Sequence, residues 1–327
     1  MAEPKKILIT GAAGFVGTAL CRHLHGQGYA LRAVVRRGGT SLPDDLAKDL
    51  DDVVIVDDLA GPLSWPSLLE GVESVIHLAG RAHGVDQPEC SSDLFFHDNL
   101  DATVALGRAA ATAGVKKFIF LSSIKVNGEG ELTASPQPYG DRGRTRPQGA
   151  YAESKWRAEQ ELKRISMFAK GFGLIIIRSP LVYGPGVKGN FATLLGWLRC
   201  GWPVPVALPE NRRSFLYIAN LTDFIEFSVV SPSVEGRICF PADDRDYSLA
   251  EMATMLSKGL GRSVRLCPLP SSCLKYGAAL FRCPELGAKL FGSLLVDRSL
   301  SEELGWRAPY RAESGIAETA YWWLNVK

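Results

Sequence analysis

The chain has 327 residues, 46% of them hydrophobic and 22% charged, with 37 Lys+Arg against 35 Asp+Glu for a formal charge of +2. This mix excludes a disordered or fibrous chain and leaves apolar surface for a full core, at a length that suits about two domains. So near a balance of charge carries no electrostatic footprint for nucleic acid.

Seven cysteines, at 21, 90, 200, 239, 267, 273 and 283, make an odd count with no C-x-x-C pair. Scattered reduced thiols are expected, neither a disulfide framework nor a metal site. The start MAEPKKILIT lacks an apolar signal region, and no apolar run approaches the roughly 18 residues that span a bilayer. A cytoplasmic protein without membrane insertion is the expectation.

In chain order, Lys6–Thr10 reads as a buried strand and runs straight into Gly11-Ala12-Ala13-Gly14-Phe15-Val16-Gly17. Phe15, Val16, Ala19, Leu20 and Leu24 then share one face of a helix. Strands follow at Leu31–Arg36, Val53–Val56 and Ser74–Leu78, an Ala-rich helix at Ala102–Ala113, and a fifth strand at Lys117–Ser122. Asn127–Ala150, rich in Gly, Pro and Arg, reads as a long loop of the kind that is functional or mobile. A helix over Tyr151–Phe168 and a strand at Leu174–Arg178 complete the series. The strands are near-continuous hydrophobic runs, as when both faces of a sheet are covered. This rhythm predicts an α/β fold, a doubly wound parallel Rossmann-type sheet over residues 1–179 with a possible return segment near 214–240. Beyond residue 180, Pro180, Pro185, Pro203, Pro205 and Pro209 break the rhythm, so 180–327 reads as a smaller, partly interleaved substrate domain ending in a helix near Ala312–Leu324.

The strand–turn–helix context makes the three glycines a phosphate cradle. Gly11 permits the tight turn, Gly14 lets backbone approach a pyrophosphate, and Gly17 lets the helix lie close to the sheet. Tyr151-Ala152-Glu153-Ser154-Lys155 places a phenol and an ammonium four residues apart on one helical face. A neighbouring cation favours phenolate and pulls its pKa from about 10 toward neutrality, as an acid–base group requires. Ser123, at the C-terminal end of a parallel strand, faces the crevice where such sheets bind ligands.

The glycine spacing, with Ser123, Tyr151 and Lys155, resembles the short-chain dehydrogenase/reductase superfamily, and within it the extended, NAD-dependent epimerase/dehydratase branch acting on nucleotide sugars. The frame Ser122-Ser123-Ile124-Lys125-Val126-Asn127-Gly128 identifies Ser123 as the position matching the catalytic serine. The resemblance extends through His77-Leu78-Ala79-Gly80, Asn99 with Thr103, Pro147, Arg178–Gly186, Arg213–Ile218 and Leu304-Gly305-Trp306. It implies catalytic roles for Ser123, Tyr151 and Lys155. Besides Tyr151 and Lys155, the implied cofactor contacts are Gly11, Gly14, Phe15, Val16, Gly17, Arg36, Arg37, Asp58, Leu59, Leu78, Ala79, Gly80, Asn99, Pro180 and Val182. Substrate contacts fall on His83, Ser123, Lys125, Asn190 and Arg213, the last suited to a nucleotide diphosphate. A homodimer through a helix pair including Tyr151–Phe168 is implied as well.

Three departures bear on the reaction and its cofactor. Asn127 replaces the tyrosine of the family's V-Y-G triplet. Ile124 and Lys125 stand where dehydratases keep an acidic pair, which disfavours dehydration. Arg36 and Arg37 end the second strand where NAD enzymes carry Asp or Glu, so NADP(H) is favoured over NAD(H). SSIKVNGE (Ser122–Glu129) and GVKGNF (Gly186–Phe191) resemble bacterial reductases of UDP-4-keto-N-acetylhexosamines. The leading expectation is therefore ketoreduction at C4 of a UDP-linked sugar, with a UDP-glucose or UDP-N-acetylglucosamine 4-epimerase as the alternative. A dinucleotide-binding redox sensor without chemistry is a third reading, although such proteins can lose the tyrosine–lysine pair retained here.

Overall fold

The computed structural model describes residues 6–50, 52–82, 92–130, 136–141, 143–208, 211–270 and 292–326. The chain divides into two compact units, one of residues 1–126, 147–178 and 222–239, the other of 127–146, 179–221 and 240–327.

The first unit holds a seven-stranded sheet built from β1 (Lys6–Thr10), β2 (Ala30–Arg36), β3 (Val53–Val56), β4 (Val72–His77), β5 (Lys117–Ser123), β6 (Gly173–Ser179) and a short strand, Ile238–Cys239, at its far edge. The order is edge strand, β6, β5, β4, β1, β2, β3, with parallel registers such as Ile9↔Ala33 and Ile9↔Ile76. β1 lies between β2 and β4, so the strand order reverses beside its C-terminal end, where doubly wound sheets open a ligand crevice.

The hydrophobic runs explain the layering. Leu8, Val75, Phe118, Phe120, Leu174 and Ile176 meet Leu106 and Ala110 of α5 (Ala102–Thr112), and Ala158 and Leu162 of α6 (Gly149–Phe168), in one core. The alternate residues Ile7, Ile9, Ile76, Ile119 and Ile177 are buried too, so the opposite face is also covered. A Cβ at Gly107 would come within 2.7 Å of Leu162 Cδ2, showing how closely α5 and α6 approach. α1 (Phe15–Gly26) follows β1; α2 (Asp44–Asp49) and α3 (Trp65–Leu69) are short connectors. α4 (Ser92–Phe96) continues through a π-helical turn, His97–Asp101, into α5. Such bulges cluster at functional sites because they re-aim side chains.

In the second unit, β7 (Leu181–Tyr183) pairs in parallel with β9 (Phe215–Tyr217), and β8 (Val204–Leu208) with a strand at Leu266–Pro270. Its helices include α7 (Gly189–Cys200), Leu249–Gly259 and the last one, Ala312–Val326. Of the loop predicted over Asn127–Ala150, the last two residues already belong to α6, and the described stretch around Tyr139 is anchored in this unit. Tyr139 N donates to Leu295 O and Asp297 N to Tyr139 O, each at 2.8 Å. Among the described residues no helix is long and apolar enough to cross a membrane.

Candidate active site

The cradle after β1 is built by backbone geometry. Gly11 has φ +69°, and a Cβ there would fall 2.7 Å from Ala79 N. A Cβ at Gly17 would sit 2.1 Å from Gly11 O, so only glycine lets α1 start this close to the turn. Gly14 is the N-cap of α1 and is exposed; no side chain caps the helix, and its first turn carries no acidic residue. The first amides and the positive end of the helix dipole are therefore available to an anion such as a pyrophosphate. Phe15 and Val16, half-buried, open this helix.

The end of β4 is fastened to the cradle by a hydrogen-bond chain of one polarity. Leu78 N donates to Thr10 O (3.2 Å) and Ala79 N to Thr10 Oγ1 (3.3 Å). Thr10 Oγ1 lies 2.6 Å from His77 Nδ1, and His77 Nε2 lies 2.8 Å from Thr103 Oγ1. Thr103 spends its one hydroxyl proton on Asn99 O (2.6 Å), so it must accept from His77. His77 thus carries its hydrogen on Nε2 and accepts from Thr10 at Nδ1. Burial, with Lys155 adding to it, pushes the imidazole down to about 3, and the ring stays neutral.

Asn99, in the π-helical turn, pairs with the backbone of Arg81. Its Oδ1 accepts from Arg81 N (2.7 Å), while its Nδ2 donates to Arg81 O (3.2 Å) and Ser154 Oγ (2.9 Å). A Cβ on Gly80 would lie 2.7 Å from Asn99 Oδ1 and 3.2 Å from Lys155 Nζ, so the glycine makes room for both.

Tyr151 and Lys155 stand one turn apart near the start of α6. Tyr151 is half-buried, and Phe95 meets its ring edge-on at 6.4 Å. Lys155 is 5% exposed, and its Nζ donates to Leu121 O at 3.0 Å, two residues before Ser123. Burial lowers its ammonium to about 8, and the Glu159 carboxylate opposes the shift. Ser123 ends β5, is 8% exposed, and its Oγ accepts from Lys125 N at 3.3 Å. Ser122 faces elsewhere, donating to Glu159 Oε1 at 2.5 Å. Glu159 also receives Arg178 through Nε (3.0 Å) and Nη2 (2.5 Å), a fully buried fork joining α6 to β5 and β6.

Around the end of β2 the groups are ionic. Arg36 Nη1 lies 3.6 Å from Asp98 Oδ2, and Arg37 Nε donates to Asp57 Oδ1 at 2.5 Å. Asp58 Oδ1 accepts from Ala60 N (2.9 Å), Asp58 Oδ2 lies 3.2 Å from His97 Nε2, and Leu59 packs on the core.

Lys125 is half-buried just after Ser123. Pro180, Val182, Asn190 and Arg213 belong to the second unit. Asn190 is exposed at the start of α7. Arg213 Nε donates to Gly292 O (2.8 Å), and burial lowers its guanidinium to about 10 against the pull of Glu129. Tyr183 is a core residue, its hydroxyl donating to Asp243 Oδ2 (2.8 Å). His83 lies outside the described residues. Arg81, His97, Asp98 and Glu159 escaped the sequence reading. Only Glu159 left a trace there, as a carboxylate four residues after Lys155 on the apolar side of α6.

The profile described as the NAD-dependent epimerase/dehydratase family matches residues 7–235. The UDP-glucose 4-epimerase of Vibrio cholerae is 35% identical over 327 residues, covering 99% of this chain and 97% of that protein. The chain belongs to the NAD-dependent epimerase/dehydratase family. Solved structures agree in fold. The UDP-glucuronic acid 4-epimerase of Bacillus cereus in complex with NAD superposes with a TM-score of 0.76 at 19% identity, covering 97% of this chain and 98% of that one. The UDP-glucose 4-epimerase of Thermotoga maritima with UDP-glucose gives 0.76 at 20% identity, covering 98% of each. Family membership makes this chain an enzyme of the short-chain dehydrogenase/reductase type.

Proposed function

We propose that this enzyme interconverts the C4 epimers of a UDP-linked hexose, using bound NAD. The observation that carries the reading is full-length likeness to a UDP-glucose 4-epimerase, joined to a retained Ser123, Tyr151 and Lys155. The residues fit a dinucleotide. Gly11, Gly14 and Gly17, with the uncapped start of α1, would hold the pyrophosphate; Leu78, Ala79 and Gly80 would border it; Asp58 and Leu59 would meet the adenine. The nicotinamide, when bound, supplies the hydride acceptor and donor.

The chain's own part is the proton at sugar O4. Tyr151 takes it as phenolate when C4 is oxidised and returns it when C4 is reduced on the other face. The Lys155 ammonium, one turn along, favours that phenolate. Ser123 Oγ orients O4. Arg213, with Lys125, Asn190 and His83, is assigned to the nucleotide and sugar. A homodimer is part of the proposal: Met167 and Phe168 are exposed beside a hollow lined by Arg108, Ala111 and Ile165, and light scattering of the purified protein checks it.

A second reading, reduction of a UDP-4-keto-N-acetylhexosamine by NADPH, is favoured by Arg36 and Arg37 at the end of β2. Incubation with UDP-glucose or UDP-N-acetylglucosamine and no added cofactor separates the two. Appearance of the C4 epimer supports the first. Strict dependence on NADPH with a 4-keto sugar supports the second, and neither activity removes both.

A further inference from the structure

We propose that Asp98 determines cofactor specificity: its carboxylate, held by Arg81, stands 3.6 Å from Arg36, the guanidinium that a 2′-phosphate would need, so the site takes NAD(H) and rejects NADP(H). The inference rests on the dinucleotide site proposed above.

Four elements deliver charge to one place. Arg36 ends β2, Asp58 follows β3, Arg81 follows β4, and His97 with Asp98 comes from the π-helical turn before α5. In a doubly wound sheet the end of β2 faces the adenosine ribose, where a carboxylate bonds the ribose hydroxyls and an arginine accommodates a 2′-phosphate. By sequence alone Arg36 and Arg37 form a phosphate-binding pair. In the fold each already has an anionic partner. Arg37 is tied to Asp57, both exposed, and Arg36 to Asp98.

Asp98 is the better-held member of its pair. Its side chain is 12% exposed against 57% for Arg36. Arg81 forks onto Asp98 Oδ2 through Nε at 3.0 Å and Nη2 at 2.8 Å, a charge-assisted geometry. His97 Nδ1 stands 3.3 Å from Asp98 Oδ1, and its Nε2 reaches Asp58. The neighbouring Asn99 clamps the Arg81 backbone at both N and O, which fixes the fork's base. The carboxylate is therefore a well-held negative charge beside the more exposed Arg36. A phosphate approaching Arg36 would have to displace Asp98 and would meet like charge at close range, whereas a ribose hydroxyl meets an acceptor.

The test titrates purified protein, freed of carried-over nucleotide, with NADH and NADPH, reading the fluorescence of the bound nicotinamide and requiring no turnover. Wild type is expected to bind NADH about tenfold more tightly than NADPH. Asp98→Asn should tighten NADPH about tenfold and move NADH by less than about threefold, and adding Arg36→Gln should reverse that gain. Arg36→Gln alone should leave the NADPH-to-NADH ratio within about threefold, since Arg36 is already engaged. The assignment to Asp98 is overturned if wild type prefers NADPH or if Asp98→Asn moves both cofactors equally or neither. Selective loss of NADPH affinity in Arg36→Gln alone overturns it too, and needs no folded Asp98 variant. Failure of wild type to bind either dinucleotide would remove the functional reading together with this one. Binding with an unmoved ratio removes only the role of Asp98.

Discussion

Lys155 Nζ stands 4.6 Å from the centroid of the Phe120 ring, and the neutral His77 ring stacks on that same ring at 5.7 Å and 20°. A buried cation on an aromatic face gains electrostatic attraction while losing its hydration. The loss dominates, which is why the ammonium titrates near 8 and not at 10.5.

Activity and stability should consequently diverge in alkali. If the ammonium is what keeps Tyr151 ready, turnover falls as pH rises through about 8. Stability moves the other way. The folded pKa is depressed, so between about 8 and 10.5 the unfolded chain binds the extra proton and the fold gains as pH rises, by about 3 kcal/mol in all. Melting curves and rates taken from pH 7 to 10 check both directions. Lys155→Met should lose the stability gain.

His77 makes the opposite demand in acid. Its folded pKa is depressed to about 3 from 6.5, so as pH falls through 6.5 the unfolded chain takes a proton that the buried ring cannot. The fold should lose up to about 5 kcal/mol by pH 3 through this one ring. Urea midpoints from pH 7 to 4 should fall less steeply in His77→Gln than in wild type, and equal slopes would contradict the assignment.

The Glu159–Arg178 fork is a buried pair, and breaking it from one side leaves a charge without its mate. Glu159→Gln or Arg178→Met should cost about 3–5 kcal/mol in chemical denaturation. Replacing both by apolar residues of similar volume should recover much of that. A loss in the double variant equal to the sum of the single losses would show that the pair carries no coupling.

Tyr151→Phe keeps the ring that Phe95 packs against and removes only the hydroxyl. Turnover should fall about 10²–10⁴-fold, the usual worth of a positioned proton-transfer group, with NADH affinity nearly unchanged. Wild-type turnover in that variant would exclude the phenol from the chemistry.

The sheet, its parallel sense and the cradle were legible because each follows from short-range rules. Continuous apolar runs report strands covered on both faces, and a turn such as Gly11–Gly17 is dictated by its own backbone sterics. The Tyr151–Lys155 spacing belongs to the same class, since an i, i+4 pair shares a helical face wherever the helix goes. The edge strand Ile238–Cys239 was not legible, because two residues carry no period.

Tertiary structure alone decided which charges meet. Arg36 reads from the sequence as free to take a phosphate, but the fold sets it against Asp98, 62 positions away. His77 reads as one letter of a motif, yet its tautomer is set by Thr10 and Thr103 from two other elements. The motif frame tells Ser123 from Ser122, but what the other hydroxyl does is set by alternation along β5, which turns Ser122 toward Glu159. Periodicity is written within a few residues and survives in one dimension. Ion pairing and proton placement depend on distances of a few ångströms between strands far apart in the chain, which exist only once the sheet has closed.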